Sequence, residues 1–440
     1  MDSIIKTIHR NLVSGKVSCV ELVQEKLSLL GANTYHSANL LLKELALAQA
    51  KKVDEKIKSG NPIELLEGVP FGISDMILLQ NCITTGSSDF LKQYVAPYTA
   101  TAIQKLMDAG AIPIVKENGD SFGHGNNNEN TPVVPVKNEY MAGSAVNVAQ
   151  GLTAFSIGGD SGGSVGLSAG YHKIFGMKPT YGRISRCGLI ANASSSDCIS
   201  PLASTLEDIR ILINTMSGKD SKDQTTYASS PIPETVFDFK KEIVAGYFLD
   251  KEIENDFQKM LDVLSAHGIK IVPLDFFDVN LIAAVYDVLA MAETASNFAR
   301  LDGCLYGART KRSSDNDIYM KTRAEHFSDE TKRRIIGGSL VTSRGYEDVY
   351  LKAKLLRKSM IERFNACFNE VDVIVSPVCR DGWPSVSTSG RQSVFTAGFS
   401  LCGLPALTVP FFTPAGIQIA ANKNQEDMIL HFAHILKEIQ

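Results

Sequence analysis

The segment Ile157-Gly158-Gly159-Asp160-Ser161-Gly162-Gly163-Ser164-Val165 sets paired glycines between serines and one carboxylate. Backbone with so little side chain turns tightly and brings several N–H groups toward one point, as an oxyanion hole or an anion nest requires. The same composition also suits a tight turn that merely needs small residues. Gly159–Gly163 spells the nucleophile motif of trypsin-like proteases, but that chemistry needs a partner His and Asp in a secreted, disulfide-bonded β-barrel. No such context accompanies it. A phosphate-binding loop would read G-x-x-x-x-G-K-[ST], or G-x-G-x-x-G opening a helix after a strand, and neither is present.

The elements that must position this segment alternate between strand-like and helical texture. Ser18 and Glu21 form a capping box that opens a helix over Val20–Leu30, and Leu40, Leu41, Leu45, Ala48 and Val53 predict a second helix from about Ala38 to Ile57. Gly68–Ile73 is a short apolar run punctuated by Gly and Pro. Thr99–Ala109 reads as a helix feeding a strand at Gly110–Val115. Leu206–Met216 and Ile253–His267 read as helices, Ile243–Phe248 and Ile269–Val272 as strands. A long helical half follows over Val279–Arg363, then a buried strand at Val371–Val375, and Asp220–Pro233 is the most loop-like stretch. This alternation predicts an α/β fold, a central sheet covered by helices on both faces. With no repeat and no linker-like tract, residues 1–440 read as one domain, a helical segment of about residues 1–60 packed on it.

Composition removes several function classes. Forty-four Lys and Arg against 48 Asp and Glu leave a net charge of −4, which argues against direct nucleic-acid binding or a coat on an anionic membrane. No run of 18 apolar residues predicts a membrane span, and the start carries Asp2, Lys6 and Arg10, unlike a secretory signal. The eight Cys are scattered without a C-x-x-C pair, and the eight His include no H-E-x-x-H. Reduced thiols, no metal, no cofactor and a cytoplasmic location are the expectation.

The chain resembles the amidase signature family, and within it the A subunits of aspartyl/glutamyl-tRNA amidotransferases. Asp160–Val165 fit the family's D-x-G-G-S-[IV], and Gly176–Arg186 fit G-L-K-P-T-Y-G-R-V-S-R. Ala193–Asp197, Gly68–Phe71, Ser296–Gly303, Lys332–Ile335, Gly403–Ala406 and Gly416–Ile419 extend the likeness along essentially the whole chain. The resemblance implies an amidase-signature fold with a mixed sheet. It also implies hydrolysis of a carbon–nitrogen amide bond by a Ser–cis-Ser–Lys relay: Ser164 at the nucleophile, Ser161, Gly162 and Gly163 supplying oxyanion amides, and Tyr286 and Arg334 contacting substrate. In that relay a neutral, buried Lys takes the proton through a bridging Ser.

Two relay positions depart from the family. Ser74 stands where G-[IV]-P-x-x-[IV]-K-D has its Lys, and Tyr140 stands at the bridging Ser, followed by Met141. A hydroxyl cannot accept the proton that the Lys accepts. Gly166 and Ser168 replace an Arg and a Pro, and Ser393 replaces an acidic substrate contact. Ser144 matches a packing position of the motif. Lys116, His124 and Asp75 are the nearby groups weighed as substitute bases. The expectation is an impaired family member, binding a small amide or carboxylate ligand or an amidotransferase-like partner subunit. The alternatives are an active amidohydrolase with a rearranged base acting on Ser164, and a divergent amidotransferase component that generates ammonia for a partner.

Overall fold

The computed structural model describes residues 2–125, 142–237, 242–248, 255–310, 315–379, 394–413 and 415–439. Eleven strands among them form one sheet: β1 (Ala38–Leu41), β2 (Pro70–Ser74), β3 (Ile112–Glu117), β4 (Phe155–Asp160), β5 (Phe175–Lys178), β6 (Cys198–Ala203), β7 (Val244–Phe248), β8 (Lys270–Leu274), β9 (Val373–Pro377), β10 (Ala406–Val409) and β11 (Ile417–Ala421). Their order is β1-β3-β2-β4-β6-β5-β10-β11-β9-β7-β8. β3, β2 and β4 run parallel, as do β9, β7 and β8, while the strands between them pair antiparallel. The sheet is mixed, as expected.

The helices are α1 (Ile4–Val13), α2 (Cys19–Gly31), α3 (Lys43–Lys58), α4 (Thr101–Asp108), α5 (Gly143–Ala149), α6 (Ser164–Tyr171), α7 (Leu206–Met216), α8 (Asn255–Ala266), α9 (Val279–Asn297), α10 (Asp315–His326), α11 (Asp329–Val341), α12 (Glu347–Cys367), α13 (Ala397–Leu401) and α14 (Glu426–Ile439). Ile103 of α4, Leu212 of α7 and Phe432 of α14 share a core with Phe71, Ile73, Phe155 and Ile157 on one face of the sheet. On the opposite face, Leu289 of α9, Phe364 of α12 and Phe399 of α13 pack on Ile374, Ala406 and Ala420. Burying both faces is what a large parallel-containing sheet requires. Residues Val279–Arg300, by length and composition apolar enough to cross a membrane, here place Ile282, Val285 and Leu289 in this core.

One expected element is corrected. The helix expected from Ala38 instead starts at Lys43, and Ala38–Leu41 is the edge strand β1, antiparallel to β3 with Leu41 opposite Val115. Leu40 and Leu41 fit either period over so short a run, and pairing with β3 decides between them. The capping box of α2 is present: Ser18 accepts from the Glu21 N–H, and Glu21 accepts from the Ser18 N–H at 2.9 Å.

Strand alternation prepares the site. Phe71 and Ile73 point to the apolar core, so Gly72 and Ser74 point to the other face; likewise Phe155 and Ile157 against Ser156 and Gly158. That second face is small and polar at the centre of the sheet, and α5 and α6 lie against it.

Candidate functional site

Ser164 is the first residue of α6, directly after the sheet-to-helix turn that follows β4. Gly163 precedes it at φ 99°, and a Cβ there would fall 2.1 Å from Cβ of Thr396. Only glycine meets both conditions. The Asp160 carboxylate closes the turn: Oδ1 accepts from the Gly163 N–H at 2.6 Å and Oδ2 from the Val165 N–H at 2.9 Å. Burial raises the pKa of Asp160, with the Lys178 charge and these N–H donors opposing. Thr396 donates to the Gly162 carbonyl at 2.7 Å, and Ser161 donates to Asp197 at 2.6 Å. The turn is therefore held from β4, α13 and the loop before β6. Of the amides expected to converge on a ligand oxygen, that of Gly163 is spent on Asp160.

Ser164 Oγ donates to the Gly159 carbonyl at 3.2 Å. It lines a cavity of about 110 Å³ together with Ser74, Ser144, Gly158 and Ser168. The structure thus brings Ser74 and Ser164 to one space although they lie far apart in sequence. Among the described residues, no Lys, Arg or His side chain lines that cavity. Tyr140 and Ser393 lie outside the described residues.

The substitute bases are engaged elsewhere. Lys116 is fully buried, with Nζ 3.3 Å from Asp75 Oδ1 and donating to the Ile77 carbonyl. Burial lowers its pKa while the Asp75 charge opposes. Asp75 in turn accepts from Asn39 at 2.9 Å and from Thr85. His124 bonds Asn192 Oδ1 through Nε2 at 2.8 Å and Thr331 Oγ1 through Nδ1 at 2.9 Å. Because Thr294 also donates to Asn192 Oδ1, that oxygen is the acceptor and Nε2 carries the imidazole proton. Burial pushes His124 down to about 3, so it is a neutral structural group joining α11 to the loop before β6.

On the other side of the Gly-Ser turn, Tyr286 of α9 rests its phenol on Gly162. Its pKa is raised by burial, with the charge of Arg334 opposing. Arg334 of α11 donates from Nε to Glu330 at 2.8 Å. Of these two residues matched from the family motif, Tyr286 stands at the turn and Arg334 is near enough for its charge to act on the phenol. Arg357 ties the 193–197 loop to α12, donating to Ser195 Oγ at 2.6 Å and to the Ser195 carbonyl at 2.8 Å.

One group escaped the sequence reading. Glu117 of β3 is 1 % exposed and accepts from Ser156 at 2.6 Å and Asn147 at 3.0 Å. Burial pushes its carboxyl up to about 7, against the pull of Ser156, Asn147, Ser144 and Lys116. The available signal was Gly72, an isolated glycine inside a strand pattern, which marks close approach by another group. That group is Glu117: a Cβ on Gly72 would meet its Oε1 at 1.9 Å.

Ser164 carries little of the fold. Ser164→Ala removes one hydrogen bond to a carbonyl, worth about 0.5–1.5 kcal/mol, and places a good helix former in the first turn. The expected change in Tm is no more than about 2 °C, read by thermal unfolding; a fall of many degrees would show that the hydroxyl is structural.

The amidase family's sequence profile matches residues 20–430. The chain is 35% identical over 448 residues to the A subunit of the glutamyl-tRNA(Gln) amidotransferase from Ruthia magnifica, covering 95% of this chain and 93% of that one. With the protein of the same name from an Exiguobacterium strain it is 34% identical over 467 residues, covering 99% and 96%. Among solved structures, the A subunit of the Thermotoga maritima glutamyl-tRNA(Gln) amidotransferase superposes at TM-score 0.70 and 28% identity, over 84% of this chain and 83% of that one. An amidase superposes at TM-score 0.81 and 23% identity over 100% and 99%, a likeness of fold.

Proposed function

Because the chain belongs to the amidase family, we propose that it is a catalytically impaired member of it, one that binds a small carbonyl or carboxylate ligand on the Tyr286 and Arg334 side of its Gly-Ser turn. The observation that carries this reading is the makeup of the Ser164 cavity: Ser74 stands there, and no basic side chain among the described residues lines it. With Tyr140 at the bridging position as well, the relay lacks both its sink and its carrier. Ser164 meanwhile donates to a carbonyl rather than to a base.

The motifs that build the sheet and the turn are kept, so the site retains shape without the proton chemistry. Tyr286 offers a hydroxyl above Gly162, and Arg334 a guanidinium able to fork onto a carboxylate. The relatives are named as the A subunits of an amidotransferase. That name supports a partner subunit for this chain too, and the proposed setting is a cytoplasmic, single-domain protein acting beside it.

Ligand-observed NMR or calorimetry with a panel of small amides and amino acids tests the binding. At least one member is expected to bind, and Arg334→Ala is expected to weaken a carboxylate ligand by about ten- to a hundredfold, the loss of a charge-assisted pair worth roughly 1.5–3 kcal/mol. No binding across the panel would leave only the partner-binding role.

A further inference from the structure

A buried carboxyl, that of Glu117, lies behind Ser144 of the cavity that Ser74 lines. Gly72 and Ser74 share a face of β2, Ser156 and Gly158 share the same face of β4, and Gly72 pairs with Ser156. Ser74 and Gly158 line the cavity, so the Gly72–Ser156 step lies one strand repeat deeper on that face. The Glu117 carboxyl occupies this step, over Gly72 and bonded to Ser156. Asn147 holds its Oε1 from α5, and Ser144, one helical turn earlier, turns its hydroxyl toward the same carboxyl while lining the cavity. Glu117 Oε2 is buried with no hydrogen-bond partner among the described residues.

A buried carboxylate oxygen without a donor is costly; protonation relieves it at low pH, and a cation or an N–H donor relieves it when the group is ionised. The ammonium of Lys116 does not line this space; it faces Asp75 and two carbonyls. Among the described residues, the charged side chain that lines it is Asp120, another carboxylate, and the remaining polar wall includes the hydroxyls of Ser74, Ser87, Ser144 and Ser164. Hydroxyls accept as well as donate, so the wall suits a ligand that brings several N–H donors. The volume, about 110 Å³, exceeds what one ordered water needs.

We propose that the Ser74 cavity is a binding site for a small primary ammonium ion, held by the hydroxyls of Ser74, Ser144 and Ser164 with the Glu117 carboxylate behind Ser144 as its counter-charge. The proposal rests on the reading that the lysine relay is lost, since a lysine at position 74 would fill the space with its own ammonium. Held against a carboxylate, the bound amine stays protonated and supplies no base to Ser164.

The pH dependence has a definite sign. The groups facing the Glu117 carboxyl are Ser144 and Asn147 of α5, Ser156 of β4 and the charge of its neighbour Lys116, itself paired with Asp75; Asp120 lines the cavity above. Burial holds the carboxyl near 7, so it is mostly protonated at about pH 6 and mostly ionised at about pH 8. An ammonium ligand binds the ionised form and expels the proton, so affinity rises about tenfold across that interval.

Methylammonium chloride titrated by calorimetry, with tetramethylammonium chloride at equal ionic strength as the control, tests this. Saturable one-site binding of methylammonium is expected, tighter at pH 8 than at pH 6, with none for tetramethylammonium, which has no N–H. Glu117→Gln is expected to weaken binding at pH 8 by about tenfold or more and to flatten the pH profile. Ser74→Lys, checked for folding by circular dichroism, is expected to abolish binding by occupying the cavity. Wild-type binding no better than the control overturns the proposal. So does an unchanged affinity and pH slope in Glu117→Gln, or, should that variant not fold, retained binding in Ser74→Lys. Amide or carboxylate ligands that bind while methylammonium does not overturn this proposal alone; Ser164 labelled as fast as in an intact amidase overturns the reading beneath it.

Discussion

Incubated with a fluorophosphonate probe, this protein is expected to leave Ser164 unmodified under conditions that label an intact amidase to completion. The probe reports how readily the hydroxyl gives up its proton, and that depends on a base in reach. Among the described residues, the cavity around Ser164 offers the hydroxyls of Ser74 and Ser144 and one carboxylate, Asp120, a far weaker base than a neutral lysine. Lys116 is bound to Asp75, and His124 is fixed between Thr331 and Asn192. Loss of a general base costs about 10²–10⁴ in rate, and more where the missing residues act as a unit. Ser74→Lys alone is not expected to restore labelling, because on the proposed reading the bridging serine is missing too, and the Glu117 carboxyl beside Gly72 favours the charged form of an introduced lysine. Mass spectrometry of the labelled protein decides: stoichiometric modification that disappears in Ser164→Ala would refute the impaired reading.

Asp160→Ala is expected to cost far more stability than Ser164→Ala, although the two residues lie one short turn apart. Asp160 is 1 % exposed and holds the N–H groups of Gly163 and Val165. Without it the left-handed turn at Gly163 and the start of α6 lose their acceptor, and each buried donor left unmade costs about 1–3 kcal/mol. Lys178, also buried and donating to the Leu404 carbonyl, loses the nearby negative charge that Asp160 supplies. Asp160→Asn, which keeps one acceptor oxygen, should fall between the two. Urea unfolding of the three variants ranks them; an Asp160→Ala protein as stable as Ser164→Ala would show that the turn is held by Thr396 and the glycines alone.

Family membership and the Gly-Ser turn were legible in the sequence, because both are contiguous patterns in which residue type alone carries the information. So were α2, with its local capping box, and α7, whose apolar period runs a full three turns. Other features depend on residues far apart in the chain. Leu40 and Leu41 became an edge strand only because β3 offered backbone to pair with. The Gly163 amide points to Asp160 and so serves the turn before any ligand. Lys116, one buried cation among the candidate bases, is tied up by the carboxylate of Asp75 on the neighbouring strand's exit. Glu117 passed as an ordinary strand-end acid; its meaning lies in Gly72, Ser144, Asn147 and Ser156, which come together only when β2, β3 and β4 lie side by side under α5. A local pattern fixes what a backbone segment can do, while the desolvation and partners that set a side chain's charge are made by folding.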